Sequence, residues 1–395
     1  ALSMICTAVA GLGITAGAAA EDEKIVEFTA AAMQTEYENR TNTDDSAATV
    51  MARLGVKVDT SANACWGGTS LEANGNTGNA LVIGYGFRNT STEKHGGWFD
   101  FTANSTVNPS PAAMTGGAYM VEAQVVNYIF DGTSRISHIR YELCGTVGSE
   151  TKSIAQLKFD HKTDKINLID ASGTVAGTSS AESFGQNKPV PGYVRFVIDM
   201  NNKTYSAYYA KHANVSALGT VREELTVLAQ NRPFLNSDVT QLTRMNVFGL
   251  FPGGGNTEAG FYSVKVSKMA DTTADKTAAN YDKNDGGTLD VTLTPVTHRL
   301  QKITVDDTDL AAEYYTVSGD TYTIAEEALK ALSVGSHTLK FVMDGGASPA
   351  VALTVENSSS VPTYTVTASS TDEAKGTAAV TSLGTEFEAG ASVEV

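Results

Sequence analysis

Residues 281–356 carry the clearest structural pattern in the chain and read YDKNDGGTLDVTLTPVTHRLQKITVDDTDLAAEYYTVSGDTYTIAEEALKALSVGSHTLKFVMDGGASPAVALTVE. Apolar residues alternate with polar ones over 289–293 and 339–343, the period-2 pattern of strands with one buried side. Ser318–Thr321 contains a glycine and joins two β-rich runs, which predicts a hairpin. Residues 324–332 switch to helical spacing, and a glycine follows. The stretch therefore predicts a small domain made mostly of strands.

Three separated motifs in this stretch resemble the X2 module of bacterial cellulosomal and cell-wall-degrading proteins. In order they are Tyr281-Asp282-Lys283-Asn284, Tyr315-Thr316-Val317-Ser318-Gly319 and Leu332-Ser333-Val334-Gly335. The resemblance spans about residues 275–356. X2 modules are immunoglobulin-like β-sandwiches found beside catalytic domains and carbohydrate-binding modules. The resemblance therefore implies an immunoglobulin-like sandwich that serves as a spacer or auxiliary binder in a polysaccharide-acting protein.

The composition narrows the classes of partner. The chain has 395 residues, which suffices for several domains and a sizeable core. Charged residues are 18% of the chain, and the richness in Gly, Thr, Ser and Ala is common in secreted β-rich proteins. The formal net charge of −16 would repel nucleic acid and anionic membrane surfaces. We therefore expect neither a nucleic-acid partner nor membrane insertion.

Residues 1–20 have the features of a signal peptide that is truncated at its start. An apolar run over 4–14 precedes Ala18-Ala19-Ala20, a small-residue cleavage pattern. The run is too short and too rich in glycine for a spanning helix. These features predict export, and hence a secreted or cell-surface protein.

Two cysteines remain after export, Cys65 and Cys144. They could form one disulfide in an oxidising compartment, or stay as two buried free thiols, and the sequence leaves both alternatives open. There is no C-x-x-C motif and no Cys/His cluster, so the sequence indicates no structural zinc site.

Residues 24–270 contain a succession of strand signals with almost no long helical pattern, which predicts an antiparallel β-sandwich. Two hairpins are indicated, one turning at 161–164 and one at Asn201-Asn202, whose side chains tolerate positive φ. The order of a late hairpin, a long loop and two closing strands is similar to concanavalin A-like lectin and glucanase jelly rolls. In those folds the final strand returns beside the first. The resemblance implies a jelly roll over 24–270.

The full predicted organisation is all-β. In order it comprises a signal peptide (1–20), a jelly-roll sandwich (24–270), a linker (271–280), an X2-like immunoglobulin-like module (281–356), a second linker (357–362) and a partial β repeat truncated at its end (363–395).

No catalytic constellation is visible. Retaining glucanases of the jelly-roll class place carboxylates two residues apart on one strand, as in Glu-x-Asp-x-x-Glu, and no such run occurs. The G-x-S-x-G elbow of serine hydrolases is also absent. We interpret Glu122 and Glu142 as solvated residues on strand surfaces. The histidines His95, His138, His161 and His212 are interpreted as surface or turn residues.

Carbohydrate binding is the function that the residues favour. Trp66 and Trp98 lie beside glycines, and Tyr85 and Arg88 lie on or beside a predicted strand. Sugar rings stack on aromatic side chains, and polar side chains bond their hydroxyl groups. The alternative for each tryptophan is a place in the sandwich core. Jelly-roll modules often hold a structural calcium ion, so calcium stays open as a cofactor although no motif indicates it.

The leading hypothesis is a secreted, multi-modular bacterial protein that binds polysaccharide through its jelly roll. Association with a cell wall or a multi-enzyme complex follows from the X2 resemblance. One alternative is a polysaccharide lyase or glycoside hydrolase with a divergent active site in residues 24–270. A second alternative is a non-catalytic adhesin stalk.

Overall fold

The architecture is taken from a computed structural model of the chain. It describes residues 21–39, 47–59, 81–83, 92–129, 138–160, 163–170, 172, 175–178, 190–211, 225–250, 257–294, 298–358, 363–369, 374–375, 377, 379–380, 386–388 and 391–393. The predicted signal peptide and Cys65 lie outside these residues.

The chain divides into two compact units. The first comprises residues 1–275, 293–303 and 341–349, and the second comprises 276–292, 304–340 and 350–395. The domain boundaries drawn from the sequence remain a prediction.

Strands dominate residues 21–270. In chain order they are β1 (Glu23–Thr29), β2 (Val56–Val58), β3 (Leu81–Ile83), β4 (Lys94–Asp100), β5 (Ala118–Ile129), β6 (His138–Val147), β7 (Glu150–Asp160), β8 (Lys165–Ile169), β9 (Val175–Thr178), β10 (Val190–Asp199), β11 (Thr204–Lys211), β12 (Thr226–Pro233), β13 (Gln241–Leu250) and β14 (Thr257–Lys268). Many of these strands coincide with predicted ones.

Two antiparallel sheets are built from these strands. The back sheet has the order β1-β14-β5-β10-β11-β12, with β3 also pairing with β14. The front sheet has the order β2-β4-β13-β6-β7-β8-β9. The closing strand β14 lies beside the first strand β1, as the jelly-roll pattern predicts. The all-β sandwich predicted from the strand signals is thus confirmed.

The hydrophobic core lies between the two sheets. Phe99 and Tyr141 of the front sheet meet Phe261 of the back sheet edge to face, with ring centroids 4.8 Å and 5.6 Å apart. Along β10, Val194 and Phe196 point into this core and Arg195 points the other way, as the alternation predicts. The core therefore fixes which side chains of each sheet face outward.

Two helices precede β2 and were not predicted: α1 (Ala30–Glu38) and α2 (Ala47–Arg53). The Thr29 hydroxyl caps α1 by accepting a hydrogen bond of 3.0 Å from the Ala32 amide. Met33 of α1 and Met51 of α2 are buried in the sandwich core. Burial of these two residues stabilises the helices, which are short and have only a weak amphipathic pattern.

The hairpin of β10 and β11 forms where the sequence indicates it, but its turn differs in detail. The Asp199 side chain accepts hydrogen bonds of 2.9 Å from the amides of Asn201 and Asn202. The residue with positive φ is Lys203, at 55°, and the expectation that the two asparagines supply this conformation is wrong. The Asp199 side chain organises the turn instead.

The strands after residue 270 form separate sheets. In chain order they are β15 (Thr273–Ala274), β16 (Ala278–Asp282), β17 (Leu289–Thr294), β18 (Leu300–Val305), β19 (Thr308–Asp309), β20 (Tyr315–Ser318), β21 (Thr321–Ile324), β22 (Gly335–Met343), β23 (Ala350–Glu356), β24 (Thr363–Thr365) and β25 (Glu386–Glu388). The sheet orders are β15-β17-β21-β20, β16-β23-β22-β18-β19 and β24-β25.

The local predictions for the X2-like stretch are confirmed. Ser318 pairs with Thr321, so Gly319 and Asp320 form the turn of the β20–β21 hairpin, with Gly319 at φ 59°. The helix predicted over 324–332 is present as α3 (Glu326–Ala331), with Ala328 and Leu329 buried.

Candidate functional site

Trp98 lies on the outer side of the front sheet. We call this side, which points away from the core, the polar face. The next residue, Phe99, is fully buried in the core, so alternation along β4 turns the indole outward. Gly97 permits the close approach of β2, because a Cβ there would lie 2.2 Å from the Lys57 carbonyl oxygen. Trp98 is half-buried and lies outside the hydrophobic core.

Three side chains surround the indole of Trp98. The imidazole of His95 stacks on it with ring centroids 5.4 Å apart and 19° between the planes. Lys57 Nζ lies 5.5 Å and Arg244 Cζ lies 5.0 Å from the indole centroid. At such distances a cation is attracted by the π face of the ring. Two cationic side chains therefore lie against the indole on the polar face.

A charged network lies on the same face, around Glu93. His138 Nε2 lies 2.7 Å from Glu93 Oε1, and Arg140 Nε donates to the same oxygen at 2.9 Å. Burial raises the pKa of the Glu93 carboxyl, but the hydrogen bonds and charges of His138 and Arg140 outweigh it and hold the pKa at about 2. The carboxylate is therefore ionised at neutral pH. The interpretation of His138 as a surface or turn residue is wrong, because it is 7% exposed and lies on β6.

A second carboxylate, Glu142, lies on the same strand as Arg140. Gln156 Nε2 donates to Glu142 Oε1 at 3.0 Å, and Asn246 Nδ2 donates to Glu142 Oε2 at 2.7 Å. Arg140 Nη1 donates to Gln156 Oε1 at 2.8 Å, which joins the two networks. The interpretation of Glu142 as a solvated residue is wrong, because neighbouring strands supply partners for both of its oxygens.

Cys144 is a buried free thiol beside this network. Asn246 Nδ2 lies 3.2 Å from Cys144 Sγ. Burial, with the Glu142 charge second, raises the pKa of this thiol well above its ordinary value. The thiol is therefore protonated at neutral pH and is a poor nucleophile.

The outer side of the back sheet carries a different polar cluster. Arg195, 1% exposed, donates to Glu122 Oε1 at 3.1 Å, and the Tyr193 hydroxyl also donates to that carboxylate. Lys265 Nζ lies 3.7 Å from Glu122 Oε2. The interpretation of Glu122 as solvated is therefore also wrong. These partners satisfy the hydrogen-bonding capacity of the carboxylate, so we interpret the cluster as a structural ion pair.

The second unit contains a cavity of about 360 Å³ with a mostly apolar lining, which includes Leu329 and Leu339. Its polar residues include His337, whose Nδ1 lies 2.6 Å from Asp306 Oδ2. The Asp306 hydrogen bond and then the Ser333 carbonyl raise the pKa of His337.

The structure describes only one of the four ligand-binding residues proposed from the sequence. Trp66, Tyr85 and Arg88 lie outside the described residues, and of the four candidate ligand-binding residues only Trp98 can be placed. Arg244 and Asn246, which border Trp98, were not selected. Their alternation with the buried Met245 and Val247 along β13 could have placed them on an outer face. It could not have shown that β13 lies beside β4.

Two features are absent from the described residues. No helix in that part of the chain combines the length and apolar character needed to cross a membrane. Within the same ranges, no three His, Cys, Asp or Glu side chains are grouped so that they could hold a metal ion.

Comparison with solved structures finds lectins and multi-modular glucanases. Peanut lectin is 12% identical over 51% of this chain and 90% of its own, with a TM-score of 0.33. Arcelin-5, a lectin-like defence protein from Phaseolus vulgaris, is 9% identical over 54% of this chain and 90% of its own, with a TM-score of 0.30. A tri-modular GH5 (subfamily 4) endo-β-1,4-glucanase from Bacillus licheniformis, complexed with cellotetraose, is 17% identical over 25% of this chain, with a TM-score of 0.21.

These likenesses are distant. The chain spans 20% of the length of the glucanase. No curated protein matches the sequence. The family comparison is more specific, since it matches residues 274–354, nearly the stretch in which the three X2 motifs lie. The matched family is described as carbohydrate binding domain X2.

Proposed function

We propose that the protein binds polysaccharide through the polar face of its front sheet, with the X2 segment as a spacer or auxiliary binder. The observation that carries the proposal is the arrangement around Trp98. A half-buried indole lies beside two side chains, Arg244 and Asn246, that each have a buried polar atom without a hydrogen-bond partner in the described part of the chain. Buried polar atoms are normally satisfied. The hydroxyl groups of a ligand would satisfy them once the side chains that cover these atoms move apart.

The rest of the polar face suits binding. Arg140 is held by Glu93 and Gln156, and its Cζ lies 3.9 Å from the Phe248 ring centroid. Side chains locked in this way lose little conformational entropy when a ligand arrives, which favours affinity. The Glu93 carboxyl, with a pKa of about 2, is not suited to donate a proton to a leaving group at neutral pH.

Affinity electrophoresis of the full chain in gels that contain soluble polysaccharides tests the proposal. We expect retardation by at least one polymer, and we expect Trp98→Ala to reduce the affinity about tenfold or more, as for loss of a central aromatic contact. Lys152→Ala is the matched control, because Lys152 is exposed on β7 of the same sheet and pairs only locally with Glu150. It should leave the retardation unchanged.

The X2 segment is present in all these variants. If retardation persists unchanged in Trp98→Ala, and the variant retains the wild-type thermal unfolding curve, the polar face is not the binding site. Absence of retardation over a broad panel of polymers would favour the adhesin-stalk alternative. Release of reducing ends or unsaturated products from the same polymers would favour the lyase or hydrolase alternative.

We also propose that the chain is exported. The apolar run and the alanine triplet in residues 1–20 support this. Expression of the gene's full product followed by mass determination of the mature protein checks the proposal. A mature protein that begins near Glu21 is the expected result.

A further inference from the structure

The most unusual residue on the polar face is Arg244 on β13. It pairs in register with Asp100 of β4 and with Cys144 of β6. Its guanidinium forms no ion pair with a carboxylate in the described part of the chain, and its polar neighbour there is the Cys144 thiol. The Asp100 carboxylate is engaged elsewhere, since it accepts hydrogen bonds from Lys57 at 3.3 Å and from the Thr102 amide at 3.1 Å.

A partly buried guanidinium needs a counter-charge and hydrogen-bond acceptors, and Arg244 lacks several of them. Its Nε is buried and has no hydrogen-bond partner within the described residues. The indole of Trp98, 5.0 Å from Cζ, supplies a cation–π attraction, but this contact satisfies no N–H group. A buried cationic donor without an acceptor is costly, and an anionic acceptor from outside the chain would remove the cost.

Asn246, two residues along the same strand, offers the complementary group. The Glu142 carboxylate can only accept hydrogen bonds, so the amide NH₂ of Asn246 must face it, at 2.7 Å. The Asn246 Oδ1 is thereby turned away from Glu142, and it is buried without a partner among the described residues. The two side chains thus present a cationic donor and a neutral acceptor from strand positions whose backbones lie roughly 7 Å apart.

We propose that Arg244, Asn246 and Trp98 form a subsite for an acidic sugar, a uronate unit of a polysaccharide. This inference rests on the proposed function of the polar face and names its substrate class. The uronate carboxylate would accept from the Arg244 Nη groups. A hydroxyl group of the same ring would donate to Asn246 Oδ1 once the side chains that cover this atom move apart. A neutral sugar could satisfy Asn246 but would leave the Arg244 charge without an anion.

The charge of the whole chain sharpens this inference. With a formal net charge of −16, the protein repels polyanions in general. Retention by an acidic polysaccharide would therefore require a local site and could not arise from overall attraction.

Matched pairs of polymers provide the test. Polygalacturonate and alginate are each compared with their own carboxyl-reduced, neutral form, using affinity electrophoresis of the full chain in about 0.15 M sodium chloride. We expect at least one acidic polymer to bind about tenfold or more tightly than its neutral form, as for a charge-assisted hydrogen bond. Arg244→Gln should remove most of that difference, because it should lower the affinity for the acidic form far more than the affinity for the neutral form.

Arg244→Lys serves as a second variant, because it keeps the charge but lacks the planar fork of donors. It should retain part of the preference for the acidic polymer. Lys152→Gln is the matched control, since it removes an exposed cation on the same sheet that is already paired with Glu150, and it should leave the preference for the acidic polymer unchanged.

The outcomes separate the two proposals. Equal binding of acidic and neutral forms, both reduced by Trp98→Ala, would overturn the uronate subsite and leave polysaccharide binding in place. A preference for the acidic form that Arg244→Gln does not change would also overturn the subsite. If neither form binds although the protein is folded by thermal unfolding, both the subsite and the proposed function fail for these polymers.

Discussion

Glu93 shows what a single residue contributes to the polar face. Its folded-state pKa of about 2 lies below its ordinary value of 4.5, so its hydrogen bonds stabilise the fold above pH 4.5. This stability is lost as the pH falls from 4.5 toward 2. We expect Glu93→Gln to lower the free energy of unfolding by roughly 2 to 3 kcal/mol at neutral pH, and by much less near pH 2.

Urea unfolding of the wild type and of Glu93→Gln over this pH range measures the effect. Other carboxylates also titrate there, so the quantity to follow is the difference between the two proteins. Glu150→Gln is the control, because the Glu150 carboxylate is exposed and pairs with Lys152 at the surface. A Glu93→Gln difference that does not shrink on acidification would contradict the lowered pKa.

Sequence patterns predicted which side chains point outward, but they did not predict which residues those side chains contact. Alternation along β10 and β13 separates the core side chains from the outer ones, because the strand period depends only on local backbone geometry. The partners of Glu142 are Gln156 on β7 and Asn246 on β13, and the pairing of these strands depends on the register of the whole sheet. For this reason Glu122, Glu142 and His138 were wrongly expected to be solvated or at the surface.

At the scale of elements, the β18–β19 hairpin is held by a two-residue turn. Thr304 pairs with Asp309 and Val305 with Thr308, which leaves Asp306 and Asp307 as the turn, at φ 48° and 62°. Two positive φ values are the mark of a type I′ turn, which matches the twist of the strands. No sequence signal had been assigned here, because Asp-Asp is not among the strongest hairpin dipeptides.

Asp307→Val should destabilise the second unit by about 1 to 2 kcal/mol, because a β-branched residue is strained in the left-handed region. Thr308→Val is the matched control, since it introduces the same side chain at the adjacent exposed strand position and should change the stability by less than about 0.5 kcal/mol. Thermal unfolding of the two variants provides the comparison. Equal stability of both would mean that the turn does not constrain residue 307.

The predicted hairpins at Asp199 and Gly319 could be found from the sequence because the residues that form their turns are adjacent in the chain. Asp199 and Gly319 provide turn chemistry that is local in sequence, namely a side chain that accepts backbone amides and a residue without a Cβ. The helices α1 and α2 lack such a local signature except for the Thr29 cap. Their stability comes from Met33 and Met51 in the sandwich core, which no short window of sequence reveals.

For the whole molecule, the two units should differ in how their stability responds to a rise in pH. The first contains Glu93, which stabilises its fold above pH 4.5. The second contains His337, whose pKa is raised above 6.5 by Asp306 and the Ser333 carbonyl. A raised histidine pKa stabilises the fold below pH 6.5, and that stability is lost as the pH rises through the folded-state pKa.

Differential scanning calorimetry of the full chain at several pH values checks this expectation. We expect one transition to fall in temperature as the pH is lowered below 4.5, and another to fall as the pH is raised above 6.5. His337→Gln should abolish the second dependence and leave the first intact. If the dependence above pH 6.5 persists in that variant, His337 is not its cause.

The place of β14 in the back sheet bears on how the chain folds during synthesis. This strand pairs with β1, β3 and β5, yet it is the last of the sandwich strands to leave the ribosome. At ordinary translation rates, β1 must wait some tens of seconds, roughly 10 to 50 s, for its partner. Until then the back sheet has an open gap between β1 and β5, next to its edge, where both strands expose unpaired backbone groups. These groups stay open to pairing with other chains until residues 257–268 are made.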